Sequence, residues 1–382
     1  MTFFSTPWSV FGACLVFVVG AIIAFGLRRA FNCTSGRSLA LYLWHSLFCV
    51  IYADYVIDNG GDALSYYYES LQNNIDFEWG TRGVEILTSF FTQGVGLSYL
   101  GTFLAFQIFG FIGLLAFDAA LREVTRNKSR QIRQLATLIV FLPSISFWSS
   151  AIGKDSLSFM AMGLALWAAL NFKRRVLLMI VAVLVMLFVR PHMAGMMVIG
   201  LSGSFVFQRR VSLGQRLFFG AVALAATVVL VPLGLNYSGV GEDASSAEVM
   251  AYIEGRQGEN QDGGSSLDIA GMSLPVQLFT YLFRPLPFEA HSLFAMLGSI
   301  DNVILLFLFV VGIRSAVKKR LPADLAEHNR IFLWIYCLLA WAILGMTTAN
   351  LGIAMRQKWM FAPMLIFLLI SLIGNSKTVK VK

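Results

Sequence analysis

Charge is scarce in this chain. Only 13% of its 382 residues are Asp, Glu, Lys or Arg, against 57% hydrophobic, and mean hydropathy is +0.72. Soluble domains carry roughly a quarter charged residues, so an ordinary soluble globule is excluded. Cysteine is equally sparse. Cys14, Cys49 and Cys337 fall in apolar runs and Cys33 in a basic loop, a pattern with no disulfide framework and no metal-ligand spacing. Residues 1–9 carry no charged side chain and no small-residue cleavage pattern follows the first apolar run, so that run is expected to persist as a helix. No internal repeat is visible.

What the chain has instead is apolar runs. A hydrocarbon core about 30 Å thick needs ~20 apolar residues per helix, and about eleven runs approach that size. They lie near 8–27, 39–57, 97–117, 135–150, 155–172, 176–190, 193–207, 217–236, 295–314, 331–349 and 359–374. The expectation is an all-α, polytopic transmembrane bundle forming a single integral membrane domain over 1–382. Basic clusters follow every odd-numbered run: Arg28, Arg29 and Arg37; Arg122 through Arg133; Lys173 to Arg175; Arg209, Arg210 and Arg216; Lys318 to Arg320; and Lys377, Lys380 and Lys382. One orientation satisfies all of them, with the N-terminus outside and the C-terminus cytoplasmic. The net charge of +8 thus orients helices; it does not point to nucleic acid.

In that topology Lys154, Arg190, Arg284, Arg356 and Lys358 fall at the outer face, where basic residues are disfavoured. Several together there imply an anionic partner, read as phosphate or pyrophosphate. In FVRPH (188–192), Pro191 disfavours helix at Arg190, which suits an irregular turn lining a cavity; the alternative is an arginine snorkelling to headgroups. His192 is a candidate base, although a lone histidine is commonly structural. In YLFRPLPFEAH (281–291), two prolines stiffen the chain around Arg284, whose planar fork matches phosphate oxygens. Glu289 is then either a brace for that arginine or a base.

In AIGKDSL (151–157), Lys154 and Asp155 point about 100° apart on a helix; Lys154 could meet a phosphate while Asp155 complements the helix N-terminus. In NLGIAMRQKWM (350–360), Arg356, Lys358 and Trp359 are phosphate contacts or plain interfacial anchors.

Two segments depart from spans and short loops. Residues 58–96 form an outer stretch in which one or two short interfacial or re-entrant helices are expected. Its DALSYYYE (62–69) offers Asp62 as a base and Tyr66, Tyr67 and Tyr68 as sugar-stacking faces, or else a capping Asp and an aromatic belt. The long outer loop 237–294 opens with a polar run, 238–271, carrying seven acidic residues and one basic residue, Arg256. Such a loop is a mobile lid or a linker.

The order of GGDALSYYYES (60–70), RQIRQLA (130–136), GKDSL (153–157), VRPH (189–192) and FRPLPFEAH (283–291) resembles bacterial Wzy-type polysaccharide polymerases, including the EpsG-like group. The resemblance implies a GT-C-like glycosyltransferase that joins undecaprenyl-diphosphate-linked oligosaccharide repeat units at the outer face of the inner membrane, without metal or other cofactor. It implies membrane lipid, a chain-length regulator and export proteins as partners. On that reading Arg190, Arg284, Arg356, Lys154 and Lys358 bind diphosphate, Asp62, Glu289 or His192 accepts the acceptor proton, and Tyr66 and Tyr67 stack on sugar. The alternatives are a transferase adding one sugar from a polyprenyl phosphate, for which Asp58 or Asp62 would serve, an O-antigen ligase, or a transporter. The last is disfavoured because the cations gather at one face and no inverted repeat is seen.

Overall fold

The computed structural model describes residues 6–72, 78–207, 272–290, 292–318, 329–348 and 350–374, with scattered positions between 212 and 228. Among these all regular structure is helical, and the chain divides into two compact units. The 217–236 run lies mostly outside the described residues. The polar run 238–271, with its lid reading, and His291 lie wholly outside them.

The first unit holds nearly all residues up to Arg190. Its helices are α1 (Pro7–Leu27), α2 (Ser35–Asn59), α3 (Asp62–Glu69), α4 (Thr81–Ser89), α5 (Tyr99–Thr125), α6 (Arg130–Val140), α7 (Pro143–Trp148), α8 (Lys154–Leu170) and α9 (Phe172–Val189). Local chemistry sets the ends. Thr6, Thr34 and Ser98 each accept a backbone N–H at the start of α1, α2 and α5, and Pro7 occupies the first position of α1, where no donor is missed. Gly60, at φ +73°, ends α2 in a conformation that side chains resist.

α1 shows why the composition is so apolar. Its buried positions are the small ones, Ser9, Gly12, Ala13, Gly20 and Ala24, while Phe11 and Ile22 are more than half exposed. That inverts the pattern of a helix in water: small residues meet the protein and large apolar ones face outward, as lipid requires. A Cβ on Gly20 would run into the Tyr42 hydroxyl, so the glycine lets α1 lie against α2. α5 is the central helix, with Phe103, Phe106, Phe111 and Phe117 fully buried. The fully buried His45 of α2 bridges Gln107 of α5 (2.8 Å) and Ser149 after α7 (3.0 Å), linking three interior polar side chains.

The second unit comprises α10 (Pro191–Phe207), α11 (Leu274–Phe283), α12 (Leu293–Val317), α13 (Arg330–Thr347), α14 (Leu351–Gln357) and α15 (Ala362–Leu372), with 3-10 turns at Pro287–Glu289 and Lys358–Met360. Residues 127–129 and 169–171 also belong to it. α10 packs on α13 where Gly200 meets Phe332 and Gly203 meets Ile335; α12 meets α14 at Gly298 and Met355. Lys128 crosses to the end of α15, donating to the carbonyls of Ser371 (3.0 Å) and Ile373 (2.5 Å), groups that a helix C-terminus leaves without partners.

Among the described residues, α1, α2, α5, α12 and α13 are long and apolar enough to cross a membrane, and the 351–372 pair, bent by 67°, makes six if it counts as one span. α8 and α10, with 17 residues each, are shorter than that measure. The 135–150 run is not one continuous helix but two short ones, α6 and α7. Pro143 supplies no N–H and keeps Leu142 extended (φ −63°, ψ 130°), which interrupts the helix. The stretch 58–96 contains the short helices α3 and α4, the latter running into a π turn at Phe90–Gly94.

Candidate functional site

Several of the sequence candidates converge within the first unit. Arg190 is the single residue between α9 and Pro191, its N–H closing α9 on the Met186 carbonyl at 2.7 Å. Its guanidinium donates through Nη2 to Asp155 Oδ1 (2.7 Å) and through Nε to Ser158 Oγ (3.3 Å). Asp155 and Ser158 are three residues apart on α8, so both present the same face. The pair is well enclosed, with side chains 12% and 16% exposed. Lys154 turns elsewhere and donates to Thr81 Oγ1 at the start of α4 (2.7 Å), so adjacent Lys154 and Asp155 serve different partners.

Gly153, at φ +138°, makes the turn into α8. A Cβ there would lie 3.0 Å from the Tyr66 ring, so this glycine is required both by conformation and by space. The Gly80 N–H donates to the Phe188 carbonyl (2.9 Å), fixing the α4 entry against the end of α9. α3, α4, α8 and α9 thus meet around Arg190 and Lys154.

Asp62 is exposed in the first turn of α3, where its charge complements the helix dipole. Tyr66 is buried beside Gly153, and Tyr67 is half-buried with its ring edge-on to Tyr99 at 5.3 Å. Tyr68, half exposed, presents the openest ring of the three.

The second unit gathers the other candidates. Arg284 ends α11 in extended conformation and is joined to Pro285 by a cis peptide bond. Its Nε donates to both Glu289 oxygens (2.8 and 3.1 Å), and Nη2 lies 2.5 Å from Oε1. Glu289 Oε2 also accepts the Leu286 N–H at 2.8 Å. These interactions hold the Glu289 carboxyl below the usual carboxylate range, the hydrogen bond from Arg284 contributing most. Glu289 is therefore a persistent anion that fixes Arg284, which is the brace geometry.

Asn302 of α12 donates to the Pro285 carbonyl (2.9 Å) and accepts from the Lys358 ammonium. Lys358 is 1% exposed, near the ring of Trp359 and within electrostatic reach of Asp301. One amide thus ties the Arg-Pro turn to the basic segment after α14. Arg356 and His192 are half-buried, in α14 and in the first turn of α10.

Comparison with protein families, curated proteins and solved structures finds no match. What the site does follows from its own side chains. Two Arg-Pro junctions each set an arginine on one carboxylate, Arg190 on Ser158 as well, and among the described residues Nη1 of each guanidinium remains for a further acceptor. No group of His, Cys, Asp and Glu among the described residues has the arrangement of a metal site.

Sequence reasoning missed Asp301 and Asn302. The available signal was an Asp-Asn pair inside the apolar run 295–314, since intramembrane polar groups are costly and find partners. It also missed Thr81, which no motif marks.

Proposed function

We propose that this protein is a membrane-embedded glycosyltransferase that polymerises oligosaccharide repeat units carried on undecaprenyl diphosphate. What carries the reading is Arg284, fixed on Glu289 beside a turn that Asn302 links to Lys358. As the bond from sugar to diphosphate breaks, negative charge grows on the leaving phosphate. An arginine already oriented stabilises that charge without reorganising, so the transition state gains more than the ground state. Arg190, held by Asp155 and Ser158 in the first unit, is oriented in advance in the same way.

Arg190, Arg284, Arg356, Lys154 and Lys358 bind the diphosphates of the two substrates. Glu289, held as an anion by Arg284, positions it, leaving Asp62 and His192 as acceptor bases; such a group typically contributes roughly 10²- to 10⁴-fold. The proposal includes eleven spans in a GT-C-like arrangement, with the reaction at the outer face of a bacterial inner membrane, N-terminus outside.

Deleting the gene and measuring polyprenyl-linked glycans by mass spectrometry tests it. Complete single repeats without long polymer are expected, and restoring the gene with Arg284→Ala should leave that pattern unchanged. A repeat lacking one sugar would mark a single-sugar transferase, finished polymer retained on lipid a ligase, and unchanged pools would end the glycan reading.

A further inference from the structure

The first unit contains a second basic site remote in sequence from both Arg-Pro motifs. A cavity of about 200 Å³ is lined by Arg37 of α2, Asp118 and Arg122 of α5, Arg133 of α6, Thr125 and Thr137. Asp118 is 1% exposed and has both oxygens taken: Arg37 donates to Oδ1 through Nε (2.9 Å) and Nη2 (2.6 Å), and Arg122 donates to Oδ2 through Nε (2.7 Å). Arg122 is anchored further on the carbonyls of Phe31 and Asn32, and Arg37 on Thr137 Oγ1. A single buried carboxylate therefore holds two guanidiniums rigidly at the wall.

Neutralising Asp118 requires one cation, and the cavity has three. Arg133 is exposed and lines the same cavity, adding a third positive charge to the two that Asp118 holds. The result is a preformed hollow with an excess of two positive charges and two threonine hydroxyls. Its volume is below the roughly 300 Å³ at which drug-sized ligands begin, so it suits one small group. It lies at the first turn of α2 and the last turn of α5, two helices long enough to span, which is where headgroups sit.

We propose that the Arg37–Arg122–Arg133 hollow binds a phosphate group with more than one negative charge, or a phosphodiester without a neutralising cation, from an anionic phospholipid or free in solution. Arginine forks match such oxygens in pairs, and the Asp118 clamp keeps two of them oriented in advance. This binding is separate from the glycan chemistry and does not depend on it.

The test uses the full-length protein purified in detergent. Native mass spectrometry reads retention of added phosphatidylglycerol against phosphatidylcholine, and thermal shift reads titration with inorganic phosphate. Arg133→Gln leaves the Asp118 clamp intact and should weaken binding of the preferred probe about tenfold, the usual worth of a hydrogen bond to a charged group. Arg130→Gln, an exposed neighbour outside the cavity, should leave binding unchanged. Retention of phosphatidylglycerol that phosphate does not displace identifies a lipid headgroup; displacement at low millimolar phosphate identifies the free anion. Equal losses in both arginine variants would reduce the effect to diffuse surface charge, and absence of binding by either probe would likewise overturn the site.

Discussion

Glu289 grips Arg284 through both carboxylate oxygens while one of them also accepts the Leu286 N–H. The guanidinium plane is therefore fixed by the turn that follows it. Lysine at 284 would keep the charge but lose the fork. If the proposed polymerase function holds, Arg284→Lys should lower polymer formation on the order of 10²-fold, the scale of removing one oriented donor from a developing oxyanion. Polymer length and rate, normalised to protein level in the membrane, provide the check. A rate within about twofold of the parent would mean that a point charge suffices.

The same pair makes stability depend on pH with a defined sign. Its folded carboxyl titrates below the ordinary glutamate value because Arg284 donates to the charged form. In the acid window between the two values the unfolded chain binds more protons, so stability rises with pH there. The pair's contribution is complete above the ordinary glutamate range and disappears as pH falls through the lower, folded value. Thermal unfolding in detergent at a series of acidic pH values should show this slope, and Glu289→Gln should flatten it. An unchanged slope in that variant would assign the acid sensitivity to other carboxylates.

Asp155 holds Arg190 at 2.7 Å in an enclosed setting, whereas Ser158 contributes one longer bond at 3.3 Å. Removing the carboxylate takes a charge-assisted bond from an arginine that water barely reaches. Asp155→Ala should cost about 1–3 kcal/mol and Ser158→Ala about 0.5–1 kcal/mol. Chemical denaturation of the two purified variants gives the order, and a reversed order would place the main support of Arg190 elsewhere.

The sequence showed where helices begin and where they break more readily than how they pack. Pro191 was read as an interruption and marks an observed boundary; Pro143, inside the run 135–150, and Gly60 also mark boundaries but were passed over, although a missing donor and a positive φ are local properties. The Arg-Pro motifs pointed to Arg190 and Arg284, and the five-residue spacing made Glu289 a visible partner. Asp155 was read only as a helix-end charge; its role as the Arg190 counterion depends on α8 and α9 lying side by side, a tertiary fact. Asn302 and Lys358 are 56 residues apart, and nothing local connects them. Tyr66 looked like a sugar platform because three tyrosines occur in a row, but helical periodicity turns it toward Gly153 and leaves Tyr68 exposed.

Glycine supplies a prediction whose sign changes along the chain. Gly163 of α8 faces Gly113 of α5 so closely that a Cβ would lie 2.4 Å from the Gly113 carbonyl oxygen. The neighbour is backbone, so no side chain can swing aside, and the helices must separate. Gly163→Ala should therefore destabilise by about 1–3 kcal/mol, the cost of overpacking a tight core. Gly36, within α2, has no positive φ, and a Cβ added there would meet nothing within 4 Å. At that position the same substitution removes only backbone freedom from the unfolded chain, and Gly36→Ala should stabilise by roughly 0.4–1 kcal/mol. Melting temperatures of the two variants in one detergent should move in opposite directions. Parallel movement would mean that α5 and α8 do not cross at these glycines.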